Sequence, residues 1–329
     1  MPKQLIASAP NVAELVAYSD GPVPVGSVRV RCEFGAPKHG TEMTMFHGGR
    51  VGELSFAKFP FGLGNMCVGR ITEIGEGVED YQIGDRVAGY GNLRPTHTWK
   101  AASLWRMPDR MSWQEAVCFD PAQFALAGIR DGHLRLGDNV AVSGLGAIGQ
   151  MAVQMCKLAG ARWVAAIDPL PKRCALAAKT GADLVLNPME DDVPQALLAA
   201  TDGRGVDVVI ETSANYIALD TALRGLAYEG TIAYVGWAKE CKGGLDFGGP
   251  AHFNIPNIIF ARACSEPNRD HPRWSFQRIM DTCWESLAAG QMTCDEIIYP
   301  IVDFDDVVEA YLDIDRHPET SIKLGVHFQ

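Results

Sequence analysis

No CxxC or CxxxC pair occurs among the nine cysteines, and their odd number and scattered placement (32, 67, 118, 156, 174, 241, 264, 283, 294) argue against a disulfide framework and against a cysteine-rich structural zinc site. Buried thiols in a reducing compartment fit this usage better, so a cytoplasmic location is expected. Basic excess is lacking too: the formal net charge of −11 disfavours nucleic acid and anionic membrane surfaces as partners. No apolar run approaches the roughly 18 residues of a membrane span. The opening MPKQLIASAPNVAEL has neither the basic start nor the apolar core of a signal peptide. Internal repeats and low-complexity segments are absent. What is left is an ordinary globular composition, 47% hydrophobic and 21% charged, over 329 residues. That length exceeds what one hydrophobic core usually serves, so two domains are expected.

Residues 139–168, NVAVSGLGAIGQMAVQMCKLAGARWVAAID, set out strand, glycine turn, helix, strand and acid in that order. Asn139 to Ser143 is a short β-branched run bounded by Gly137-Asp138 and Gly144, as a buried parallel strand would be. Ile148, Met151, Ala152, Met155, Leu158 and Ala159 then recur at helical spacing, with Gly160 at the expected C-terminal cap. In a dinucleotide-binding turn the first glycine, Gly144, permits the tight bend. The second, Gly146, lets backbone approach a pyrophosphate, and the third, Gly149, lets helix pack on strand. The pyrophosphate would sit on the helix N-terminus at Ala147 and Ile148. Asp168 ends the second strand, where a carboxylate accepts hydrogen bonds from an adenosine ribose and repels a 2′-phosphate; NAD is therefore expected over NADP, although Lys172 and Arg173 close behind soften the discrimination.

Upstream of this unit the chain reads as β structure. Val28, Val30, Cys32 and Phe34 fall on one face of a strand, a polar turn is expected over Ala36–Thr44, and Val68–Ile74 and Arg86–Ala88 are further short strands between glycines. Residues 111–132 switch to helical spacing. Downstream the alternation continues through helix 172–180, strand Leu184–Leu186, helix 193–201, strand Val206–Glu211, helix 217–226 and strand Thr231–Gly236, which builds a parallel sheet. A glycine- and proline-rich stretch (about 240–257) precedes a last strand at Ile258–Cys264 and a helix over 272–290. The tail returns to short strands and is expected to rejoin the first domain.

With EIGEGVEDYQIGDRVAG (73–89), SGLGAIGQMAVQMCKLAGA (143–161) and Asp168 in this order, the chain resembles the medium-chain dehydrogenase/reductases, the superfamily of alcohol, sorbitol and threonine dehydrogenases. The resemblance covers nearly the whole chain. It implies an α/β protein with a GroES-like β-rich catalytic domain, 1–124 completed by 266–329, and a doubly wound parallel-sheet Rossmann domain, 125–265. It also implies a nicotinamide reaching a cleft between the domains, and a homodimer formed through the last Rossmann strand at about 256–264, with a tetramer left open. Further cofactor contacts carry over to Thr212 and Ser213 after Glu211, to Val235, Gly236 and Trp237, to Arg173, and to Lys323 in SIKLGV.

The departures bear on mechanism. Zinc-dependent members carry metal ligands in CGTD-like and GHE-like motifs and before the Rossmann domain; the matching segments here read HGTE (39–42), GNM (64–66) and FDP (119–121), giving His39, Asn65 and Asp120. A neutral amide is a poor substitute for imidazole on zinc. The cysteine-rich lobe is replaced by GYGNLRPTHTWKAA (89–102). A zinc-independent enzyme is therefore expected. His39 is the first choice of general base, and Lys38 is a second cation within reach. Thr41 matches the family's proton-relaying hydroxyl, and Glu42 matches the acid behind the second ligand, able to buttress Asn65. Asp120 either pairs with His39 or binds substrate hydroxyls. The expected activity is NAD-dependent oxidation of a secondary hydroxyl on a polyol, sugar or cyclitol, a small-molecule substrate. The alternatives are a zinc-free quinone or enoyl reductase using NAD(P)H, and a catalytically inactive nucleotide-binding protein.

Overall fold

Ser27–Ala36 is the strand on which the first sheet is built, because both of its faces find cover: Val28, Val30, Cys32 and Phe34 are buried on one side, and Ser27 and Arg29 on the other. In a computed structural model, which describes residues 1–51, 54–55, 57–237, 241 and 243–329, this strand pairs with Met66–Ile74, Thr96–Lys100 and Lys323–His327. Arg86–Tyr90 and Trp105–Arg106 extend the sheet on one side, and Ile298–Asp303 extends it on the other. The tail rejoins the first domain as expected, with Val326 opposite Gly35. A separate three-stranded sheet is built from Lys3–Ala9, Val12–Ala17 and Phe61–Gly62. Leu5 of this sheet clusters with Leu63 and Leu93 and with Tyr311 and Ile314 of the helix Val307–Arg316.

The polar turn expected over Ala36–Thr44 is instead the entry to a helix, His39–Phe46. Glu42 and Phe46 stand four apart on one helical face and both are buried, so a residue type read as turn-forming carries the helix's inward stripe. Ser112 then caps the short helix Trp113–Val117 in a reciprocal box with Glu115, and Phe119–Asp131 follows it after Cys118.

The second sheet is parallel throughout, in the order Leu184–Leu186, Trp163–Ile167, Asn139–Ser143, Val206–Glu211, Leu226–Tyr234, Asn257–Phe260. In chain order this is 3-2-1-4-5-6, the doubly wound arrangement expected. The fifth strand starts earlier than Thr231, with a register break opposite Val206–Val208, and the sixth ends at Phe260. Helix 276–288 is shorter than the expected 272–290.

The chain divides into two compact units, Met1–Asp120 with Ser286–Gln329, and Pro121–Glu285. Residues 266–285, assigned from the sequence to the first domain, thus go with the second. Within that unit Arg130 lies 3.5 Å from the Trp274 ring centroid and pairs with Asp270 at 2.7 Å. No helix among the described residues is long and apolar enough to cross a membrane.

Candidate functional site

In the second unit the residues singled out around the glycine turn gather at the carboxyl ends of the parallel strands. Gly144 has φ +87°, a conformation that L side chains rarely adopt, so the first glycine does make the bend. A Cβ on Gly149 would stand 1.9 Å from the Gly144 carbonyl oxygen, which makes the third glycine a packing requirement. Gly146 differs from both: its φ is −66° and a Cβ there would meet nothing within 4 Å. Space therefore lies open in front of the N-terminus of helix Ala147–Leu158, whose cap residue offers no side-chain oxygen to its amides.

Asp168 is buried and already works for the turn. Its Oδ2 accepts from the Leu145 amide at 2.7 Å and its Oδ1 from the Leu170 amide at 2.9 Å, with Arg173 Nη1 3.8 Å from Oδ2. Thr212 ties the fourth strand to the same turn by donating to the Gly144 carbonyl at 2.7 Å. The main-chain oxygen of Glu211 receives the amides of Val235 and Gly236 at 2.7 and 3.1 Å, and a Cβ on Gly236 would clash with the Ala214 amide at 2.7 Å. The Glu211 side chain is fully buried and takes the amides of Ser213 and Ala214 and the Ser213 hydroxyl. Burial pushes this carboxyl up to about 7, against the pull of those donors. Trp237 follows Gly236, half-buried. Sequence reading missed Gln150, wholly buried, whose amide bridges the carbonyls of Leu145 and Arg173 at 3.1 and 2.9 Å. A polar residue on the inward helical stripe beside Met151 was the signal for it.

In the first unit the ligand-position residues and their neighbours form a charged group. Asp120, 5% exposed, accepts from Lys38 Nζ at 2.8 Å. The pairing with Lys38 was not foreseen from sequence, which considered His39 as the partner of Asp120. Lys38 leaves the chain immediately before the helix whose first residue is His39, with Thr41 half-buried in the first turn. Glu42 accepts from the Gly64 amide at 3.1 Å and the Lys38 amide at 3.4 Å, so it holds the backbone on both sides of the site and does not buttress the Asn65 side chain. Burial raises the Glu42 carboxyl above its ordinary value, opposed by the Tyr311 hydroxyl and the two amides. Tyr311, fully buried and unsuspected from sequence, is raised in turn by burial and by Glu42. Asn65 is fixed through its main chain to Ala36 and Gly91, while its side-chain nitrogen is buried with no acceptor among the described residues.

Lys323, expected among the cofactor contacts, lies in this first-unit group. It is 3% exposed and donates to the Pro37 carbonyl at 2.7 Å. Burial pulls its ammonium below the ordinary lysine value, and Asp120 is the first charge that opposes this.

Among the described residues, one group of soft donors could hold a metal ion: Cys32, Cys67 and His97, buried, with ligand atoms within 4.8 Å of one another. The His97 ring is already committed, Nδ1 accepting from Arg94 Nε at 3.1 Å and Nε2 donating to the Asn92 carbonyl at 2.9 Å. The Nε2–H bond to a carbonyl is the one that a metal-bound imidazole ordinarily makes through its second nitrogen, while the lone pair that would ligate, on Nδ1, here accepts from Arg94.

Two family models match the chain: the alcohol dehydrogenase GroES-like domain over residues 26–126 and zinc-binding dehydrogenase over 147–264. The chain is 48% identical to D-guloside 3-dehydrogenase of Escherichia coli (strain K12), over 99% of this chain and 100% of that one. It is 30% identical to sorbitol dehydrogenase of Bacillus subtilis (strain 168), over 61% of this chain and 65% of that one. Among solved structures, 2R,3R-butanediol dehydrogenase of Bacillus subtilis shares the fold with TM-score 0.80 at 20% identity, covering 99% of each chain. With its β-rich first unit, its 3-2-1-4-5-6 parallel sheet and these relatives, the chain belongs to the medium-chain dehydrogenase/reductase superfamily.

Proposed function

We infer that this protein oxidises a secondary hydroxyl of a sugar, with the 3-hydroxyl of a hexopyranoside as the first candidate, using NAD and no catalytic zinc. The full-length likeness to a D-guloside 3-dehydrogenase supports the substrate class. The single observation that carries the metal-free reading is the Lys38–Asp120 pair at 2.8 Å, because it commits the carboxylate at the third ligand position to an ammonium. With an amide at Asn65 and that carboxylate taken, the donor set fits zinc poorly.

The residues fit a dinucleotide well. Gly146 leaves room for a pyrophosphate, the uncapped amides at Ala147 and Ile148 offer donors, and Asp168 keeps a second lone pair on each oxygen for ribose hydroxyls. The negative charge of Asp168 favours NAD over NADP. When bound, the nicotinamide supplies the hydride acceptor. The protein's own residues handle the proton and the oxygen: His39 accepts the hydroxyl proton, and Asn65 Nδ2, buried without an acceptor among the described residues, donates to a substrate oxygen. An enone or quinone pocket would leave such donors unpaired at a cost of about 1–3 kcal/mol each, which disfavours the reductase alternative.

The test is NADH formation from NAD+ over a panel of hexopyranosides, free sugars, polyols and cyclitols. Turnover on glycosides supports the reading; silence there with NADPH oxidation on quinones or enones refutes it. His39→Ala should lower kcat by about 10²-fold while NADH affinity is unchanged. A variant with near-normal kcat removes His39 from the chemistry.

A further inference from the structure

The disagreement between the donor set and zinc leaves a question of charge. Oxidising an alcohol builds negative charge on its oxygen as the proton departs, and a family member without metal needs another cation at that point. Two ammonium groups stand near the ligand-position residues, and their burial separates their roles. Lys323 is 3% exposed and is bound to the Pro37 carbonyl at 2.7 Å, so it is sealed within the protein. The Lys38 side chain is 25% exposed and its ammonium rests on a 7% exposed Asp120 side chain at 2.8 Å, so this cation stands at the edge of the protein interior on a buried carboxylate, whereas Lys323 is enclosed.

We propose that the Lys38 ammonium, aimed by Asp120, is a catalytic group that takes the place of zinc as the electrophile at the substrate oxygen. This rests on the dehydrogenase reading given above. The backbone at Lys38 is held from both sides: Lys323 Nζ binds the carbonyl of the preceding residue, and Glu42 accepts the Lys38 amide at 3.4 Å while also holding Gly64 next to Asn65. With its main chain fixed by two buried charged groups and its tip fixed by a third, the cation is preorganised and needs no rearrangement as charge develops. In the oxidation, the carbinol C–H bond breaks and its electron pair leaves as hydride to the oxidised nicotinamide. The O–H bond breaks with its proton passing to the His39 imidazole and then to solvent, and the C=O bond forms. Lys38 stays protonated throughout and donates to the oxygen, so atoms and charge balance without a metal. Lys323 and Glu42 are positioning residues that touch no substrate.

The experiment compares wild type, Lys38→Ala and Lys38→Arg for kcat, KM, NADH affinity by fluorescence titration, and Tm. A purely structural ion pair predicts that Lys38→Arg, which keeps the charge and the contact to Asp120, is fully active. The catalytic role predicts that Lys38→Arg folds with wild-type Tm and loses about 10-fold or more in kcat, because a planar guanidinium puts its charge elsewhere. For Lys38→Ala it predicts a loss of about 10²–10³-fold in kcat with NADH affinity within about 3-fold of wild type. Ethylammonium added at millimolar concentration should restore part of the lost rate, and Zn2+ should not. Wild-type kcat in either variant overturns the role, as does rescue of Lys38→Ala by Zn2+ and not by the amine. A wild-type protein that turns over no secondary alcohol overturns the dehydrogenase reading together with this role; a wild type that does, beside variants of equal kcat, overturns this role alone.

Discussion

Asp168 has one task that is observed and a second that we propose. Its oxygens hold the amides of Leu145 and Leu170, which fix the glycine turn, and its charge faces the position where a ribose is expected. An amide has one accepting oxygen where the carboxylate has two, so Asp168→Asn leaves one of these backbone donors without its partner and removes the repulsion toward a 2′-phosphate. The ratio of kcat/KM for NAD+ over NADP+ should fall by about 10-fold or more in that variant, with a lower Tm. An unchanged ratio would mean that Asp168 is only a structural tie. The position of an acid at the end of the second strand was legible from the motif. Its bonds to Leu145 and Leu170 were not, because backbone acceptors depend on the bend of the turn. The Lys38–Asp120 pair was hidden for a related reason: 82 residues separate the partners, and no local pattern reports a contact of that range.

At the level of elements, the strand–turn–helix unit was readable almost residue by residue. A buried parallel strand and an amphipathic helix each impress a short-range period, and a φ of +87° at Gly144 demands glycine. The three glycines do different work, and two substitutions separate them. Gly149→Ala puts a methyl 1.9 Å from the Gly144 oxygen, so it should lower Tm by several degrees and abolish cofactor binding through misfolding of the turn. Gly146→Ala meets no protein atom within 4 Å, so Tm should stay within about 2 °C while NADH binding weakens by about 10-fold or more. Equal Tm losses in both would contradict the assignment of Gly146 to the pyrophosphate. Helix His39–Phe46 was missed because its inward stripe contains a carboxylate: Glu42 is buried through the amides of Gly64 and Lys38, and hydropathy spacing cannot register a polar residue satisfied by distant backbone.

For the whole molecule, two domains and the return of the tail followed from length and alternation, while the second boundary did not. Trp274 packs under Arg130 through a cation–π contact that sequence periodicity does not encode, which draws 266–285 into the second unit. The six-stranded sheet ends on Asn257–Phe260, with Phe260 64% exposed. An open edge of this kind is a template for pairing, and we propose that two chains join there as a homodimer. Light scattering should give twice the 35.7 kDa chain mass, and Phe260→Asp should move it toward one chain; a wild-type monomer would refute the dimer. Side-chain catalysis in place of a metal is what we propose for this site. It is tested most directly by measuring NAD+ reduction on a hexopyranoside with protein whose zinc content has been determined, before and after treatment with a chelator. Full turnover is expected at zinc far below one per chain, unchanged by the chelator. Turnover that tracks zinc occupancy and is lost on chelation would contradict it.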